Sequence, residues 1–400
     1  MSVCQSHSFF GYPELEAKRM MMEMMESPDH YNVHLESFVS RVTSRLAWGT
    51  SEGSDELKQR ARELLYTVSP TGSLANKLPI LMKLPDWLSA PKAWERRRTN
   101  TEKTFFKSMQ DDVKADLDQA KAPPSWMRIY YELKSSWGFA SDTEGAYAVG
   151  MNGIAGALTI AAPMQGFCLA MCLHPQFLPK LQREIDDVCG DRPPTYADMP
   201  RMPYLRACIR ESMRWRPAVP TGIPHMVVQD DVYDGYFIPK DSVIHPLEWS
   251  MSRNPAKYPD PDAYNPDRWV DPSSPSFQLP LSRYPSIVGY SQFGYGRRVC
   301  QGQEVAEVDL FVGVGSLAWA FNIAKAHDPA TGLEIPIPDM EYTELLIAKP
   351  KPFKFAMTPR SEKRRQQVLD LFHEENSRGS FKPSKQYWDP KQPQLGWNKV

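Results

Sequence analysis

The chain is expected to be mainly α with a small β region, and three observations carry that expectation. High-propensity helical stretches follow one another from Pro13 to Gly190. After Pro217 the run "HMVVQDDVYDGYFIPKDSVIHPLEW" sets β-branched and aromatic residues around Asp-Gly and Pro-Lys-Asp turns, the pattern of short paired strands. From Asn254 to Pro285 prolines crowd a line that keeps recurring Tyr, Trp and Phe, which reads as ordered coil rather than disorder.

Taken in order, residues 13–49 read as two helices split at "SPDHY", with the methionine run as core filling. A Ser/Asp start at "GSDEL" opens a third helix, and a Pro-rich turn leads into a long charged amphipathic one ending near Pro123. The segment from Gly145 to Leu173 carries no charge and is long enough to span a bilayer. Asn152, Thr159, Pro163 and Gln165 interrupt it and Ala and Gly dominate, so it reads as one central helix buried in protein. "QFLPKLQREIDDVCGD" is a helix stopped by Gly190, and a helix follows Cys300 to about Asn322. Short strands close the body near "FKFAMTPR". Residues 361–400 read as a polar, exposed, partly helical extension to a single unit over 1–360.

Composition excludes some partners. With 47 basic and 48 acidic residues, no net field points to nucleic acid or an anionic surface. The six cysteines lack zinc-type spacing and follow no secretory signal, so reduced thiols are expected.

Chemistry concentrates in "SQFGYGRRVCQGQEVAEVDLF", Ser291 to Phe311. Cys300 stands where a glycine loop meets a helix start, whose unpaired N–H groups favour a thiolate. Gly296 and Gly302 let backbone approach a flat group, Arg298 offers a fork for a carboxylate, and Phe293 can shield the sulfur. One soft ligand with no second Cys or His at metal spacing suits an iron already held by a macrocycle, hence haem.

Phe293, Gly296, Arg298, Cys300 and Gly302 match Phe-x-x-Gly-x-Arg-x-Cys-x-Gly, and the chain here resembles the cytochromes P450, the haem-thiolate monooxygenases. Chance would produce those five positions on the order of once in ten thousand chains of this length. Glu211 and Arg214 resemble the family's Glu-x-x-Arg, and "YNPDRW" with Arg268 resembles its aromatic-x-Pro-x-Arg, a structural triad behind the haem. His225 falls where the family places a propionate-binding side chain. "AGALT", Ala155 to Thr159, aligns with the oxygen-side helix, where a small pair makes room for dioxygen and Thr159 donates a hydrogen bond. Leu158 stands where the family carries an acid, which a leucine cannot replace in proton transfer.

The resemblance covers about residues 14–360 and leaves the family's amino-terminal anchor, first sheet and early helices without counterpart. It implies haem b on a Cys300 thiolate and oxidation of a small apolar substrate, a fungal secondary-metabolite intermediate. It further implies dioxygen as oxidant and electrons from NADPH-cytochrome P450 reductase. Leu158 keeps open a haem-thiolate isomerase, dehydratase or peroxide-dependent enzyme, and the short amino terminus keeps open a truncated, non-catalytic haem-binding protein. Relatives sit on the cytoplasmic face of the endoplasmic reticulum through their anchor. Without an anchor the expected place is the cytoplasm, and membrane association is left undecided.

Overall fold

A computed structural model describes Phe9, residues 11–385 and Tyr387. Cys4 lies outside them. The described residues form thirteen α-helices and six short strands. The helices of the first half are α1 (Gly11–Glu26), α2 (Tyr31–Trp48), α3 (Ser54–Val68), α4 (Leu74–Lys77), α5 (Ala90–Asp118), α6 (Trp126–Trp137), α7 (Asp142–Thr159), α8 (Ala161–Leu173) and α9 (Phe177–Cys189). After α10 (Pro203–Trp215) come β1 (His225–Met226), β2 (Asp231–Tyr233), β3 (Tyr236–Ile238) and β4 (Val243–Ile244). The chain then forms α11 (Glu248–Met251), α12 (Gln303–Ala320), β5 (Phe321–Lys325), β6 (Phe355–Pro359) and α13 (Glu362–Ser377).

Local signals place several of these ends. Serines 89, 125, 141 and 361 each accept a hydrogen bond from the first turn of α5, α6, α7 and α13, and Gly49 closes α2 in the left-handed region. Asp234 and Gly235 both take positive φ, 49° and 80°, which is the turn an Asp-Gly hairpin between β2 and β3 requires. β1 pairs with β4, and β5 with β6, all antiparallel.

Two apolar clusters make the core. One gathers α1, α2, α8, α9, α10 and α12, with every residue of α8 from Ala161 to Cys172 buried. The other joins Trp48, Leu57, Phe105, Phe106, Met109 and Tyr130 to the inner face of α7. The apolar stretch is thus mostly inside protein, as a core helix should be. It is nonetheless two helices, not one. Pro163 has no N–H to give the Thr159 carbonyl, and its ring crowds that oxygen, so the first helix ends at Thr159.

The tail is helical over α13 and mostly exposed along its described residues. Val368 of α13 is buried, and residues 380–385 and Tyr387 make contacts with α2, α3 and α5.

Candidate functional site

The Cys300 loop is a folded unit before any cofactor is considered. The Cys300 N–H donates to the Phe293 carbonyl at 2.7 Å, and Val299 N–H donates to Gly296 O at 3.2 Å. Gly294 (φ +82°) and Gly296 (φ +60°) take left-handed conformations that a side chain would strain. Gly294 occupies a free position of the motif, so its need for glycine was not legible from the pattern. Ser291 Oγ donates to Glu248 Oε1 at 2.8 Å and Gln292 Nε2 to the Met213 carbonyl at 2.5 Å, mooring the loop to α11 and the end of α10.

Cys300 is exposed, and the four other described cysteines are buried. Its free thiol departs from expectation. Desolvation raises its pKa, and the hydrogen bond from the Gly302 N–H lowers it only in part. Helix-end donors alone therefore do not produce a thiolate. A cation bound to the sulfur would have to displace the proton.

Glu211, Arg214 and Arg268 come together in the interior, none more than about a twentieth exposed. Arg214 pairs bidentately with Glu211, Nε to Oε2 at 2.9 Å and Nη2 to Oε1 at 2.7 Å. Arg268 Nε reaches Glu211 Oε1 at 3.0 Å and Trp269 Nε1 reaches Oε2 at 2.9 Å, so the carboxylate is fully used. The remaining guanidinium N–H groups bind carbonyls of the proline-rich coil: Ser252, Pro261 and Ala263 from Arg214, and Pro259 from Arg268. Side chains of α10 thus staple a coil that has few ladder bonds of its own.

On α7, Asn152 and Ala155 are exposed and Met151, Gly156 and Thr159 half-buried, one stripe at helical spacing. Thr159 Oγ1 donates to its own helix at Ala155 O, 3.1 Å. Asn152, one polar residue of this stripe, was read in the sequence only as an interruption. Gly156 has a second use: a Cβ there would lie 3.0 Å from Thr43 Cγ2, so its smallness serves close packing on α2. Leu158 points away from the stripe. It is 2% exposed and sits in the cluster of Trp48, Leu57 and Phe106, so the acid position of the pattern faces the core in this chain.

The turn after α10, the end of α3 and the loop before β6 are joined by hydrogen bonds. Ala348 N–H donates to Ala218 O at 2.8 Å, and Leu346 N–H to Ser69 Oγ at 2.8 Å. Arg298 and His225 are both exposed, and neither joins an ion pair among the described residues.

The donor chemistry fits haem. No group of three or more His, Cys, Asp or Glu among the described residues could hold a bare metal ion. A single accessible sulfur, steadied by Gly302 N–H and a rigid glycine loop, suits an iron whose other ligands belong to a ring.

Comparison with known proteins agrees with this geometry. The family model described as Cytochrome P450 matches residues 17–357. Cytochrome P450 monooxygenase virE of Hypocrea virens is 34% identical over 372 residues, covering 91% of this chain and 67% of its own. Cytochrome P450 monooxygenase fogE of Aspergillus ruber is 32% identical, covering 92% and 69%. A solved zebra fish cytochrome P450 with abiraterone superposes with a TM-score of 0.66 at 22% identity, over 90% of this chain and 80% of that one, a likeness of fold.

Proposed function

The chain belongs to the cytochrome P450 family, a monooxygenase with cysteine-ligated haem, and on that premise we propose that Cys300 would hold the haem iron in an enzyme oxidising a small apolar metabolite of fungal secondary metabolism. The observation that carries this is the Cys300 loop: an exposed sulfur on a backbone locked by the 2.7 Å bond to Phe293 and by two left-handed glycines.

Haem, when bound, supplies dioxygen activation with electrons from a reductase such as NADPH-cytochrome P450 reductase. The protein supplies the rest. Cys300 Sγ gives up its proton on ligation, and the Gly302 N–H tempers the charge left on sulfur. Phe293, packed against the main core, keeps water from the loop's inner side. Arg298 and His225 are assigned to the carboxylates of the ring, for which both have free donors. Thr159 Oγ1 holds a proton now given to Ala155 O and can release it to the exposed side of α7, where Asn152 adds a second polar group. Leu158, buried, takes no part in that path.

Membrane contact is assigned to the connection between α3 and α5. Leu74, Leu78, Ile80, Met82, Trp87 and Leu88 are exposed there, with Lys77 and Lys83 among them, a composition suited to an anionic lipid interface. The cytoplasmic face of the endoplasmic reticulum is the location proposed for the enzyme, and this exposed apolar surface supports contact with a membrane there.

The test is spectroscopic and isotopic. Purified, haem-loaded protein should give the strongly red-shifted Soret band of a reduced carbon monoxide complex, and Cys300→Ala should lose it. With reductase and NADPH, product should carry one atom of labelled dioxygen. Retention of the band by Cys300→Ala would overturn the assignment.

A further inference from the structure

The residues that follow α13 make contacts outside the span matched by the family, and these contacts converge on one place. Arg45, already paired with Glu16, donates from Nη2 to the Ser380 carbonyl at 2.7 Å. Phe381 stacks on Phe372 of α13 with centroids 5.2 Å apart and planes at 11°. Ser384 Oγ lies 3.3 Å from Ser54 Oγ at the start of α3, and the Lys385 N–H donates to the Glu52 carbonyl at 2.8 Å. Lys385 Nζ then bridges Glu52 at 3.1 Å and Asp112 of α5 at 3.5 Å. Tyr387 sets its ring edge-on to Phe105 of α5, 5.4 Å between centroids, and its hydroxyl 3.5 Å from Asp112 Oδ2.

Helices α3 and α5 form a long hairpin against α7. The fit is close: a Cβ on Gly150 would meet the Phe106 ring at 2.4 Å, and one on Gly153 would meet Leu57 at 3.3 Å. Glu52 and Ser54 belong to the start of this hairpin, Phe105 and Asp112 to its end. Its far tip is the apolar connection of residues 69–89. The described residues of the returning tail therefore touch both helices of the hairpin at its base.

We propose that residues 379–385, together with Tyr387, are a clasp that closes the base of the α3–α5 hairpin, so that the freedom of the hairpin to lift from α7, and with it the passage of a ligand to the site, is set by these residues. The Lys385 pairs alone are too weak for this, since Lys385 and Asp112 are each about half exposed. The clasp rests on the sum of a backbone bond to Glu52, the Tyr387 edge contact and the Ser380 anchor on buried Arg45. Lys385 and Tyr387 are positioning residues, acting on the site through α3 and α5.

The test compares the haem-loaded full chain with a Lys385→Met, Tyr387→Ala double variant and with Tyr387→Phe. Amide exchange in peptides covering 52–68 and 100–113 should accelerate about tenfold or more in the double variant while α10 and α12 keep their rates. The association rate of imidazole, followed by the Soret shift, should rise severalfold. Tyr387→Phe, which keeps the ring, should restore both. Unchanged exchange at 52–68 overturns the clasp, and acceleration shared by α10 and α12 reduces it to general stabilisation and overturns it equally. Faster exchange without faster imidazole entry overturns the control of passage. The imidazole measurement rests on the haem reading above; the exchange measurement does not, so the two failures are distinguishable.

Discussion

Pro163 stands one helical turn after Thr159, and α7 ends at the carbonyl that this proline cannot hydrogen-bond. The hydroxyl proposed to move a proton thus belongs to the last residue of a helix, where side chain and backbone both lose constraint. Pro163→Ala restores the donor. Amide exchange across residues 160–165 should slow severalfold as α7 and α8 join, and product formed per NADPH should fall because Thr159 is fixed in the helix.

Glu211 is the sole carboxylate serving Arg214 and Arg268 in their buried cluster. Glu211→Ala leaves two buried guanidinium groups uncompensated, a loss of about 3–5 kcal/mol. Urea unfolding should show it as a lowered midpoint, and haem retained through gel filtration should drop, since the Cys300 loop hangs on α10 through Gln292 and Met213.

Glu56 is buried on α3, and desolvation pushes its pKa up to about 7, against the pull of Arg60 and with the repulsion of Glu63. Its folded form therefore holds a proton that the unfolded chain releases near pH 4.5. Stability contributed by the neutral acid is present below that value and is lost as pH rises through about 7. The loss approaches about 3 kcal/mol. Unfolding free energy measured between pH 5 and 8 should fall in the parent, and Glu56→Gln should flatten that slope.

Trp87, 84% exposed, and Ile80, 59% exposed, crown the apolar connection between α3 and α5. Flotation with vesicles containing phosphatidylserine should carry the protein upward more than neutral phosphatidylcholine vesicles do. Trp87→Ser with Ile80→Ser should reduce binding at least tenfold, because two large apolar groups no longer enter the interface. Equal flotation of this variant contradicts the membrane assignment.

What the sequence determined by itself was local or carried by a pattern. Asp-Gly built the β2–β3 turn, and the spacing from Phe293 to Gly302 marked a sulfur loop, because each depends on neighbours a few bonds away. Glu211 and Arg268 lie 57 residues apart, and only the family pattern made their meeting legible. Tertiary structure decided the rest. Which face Leu158 presents depends on α2, α3 and α5, which periodicity in a nearly all-apolar helix does not orient. Burial against other elements raises the pKa of Glu56, whose charged neighbours Arg60 and Glu63 lie on its own helix, and desolvation likewise raises that of Cys300. The contact of Lys385 with Glu52 joins segments more than three hundred residues apart through weak, common side chains, and such pairing leaves no local trace in the chain.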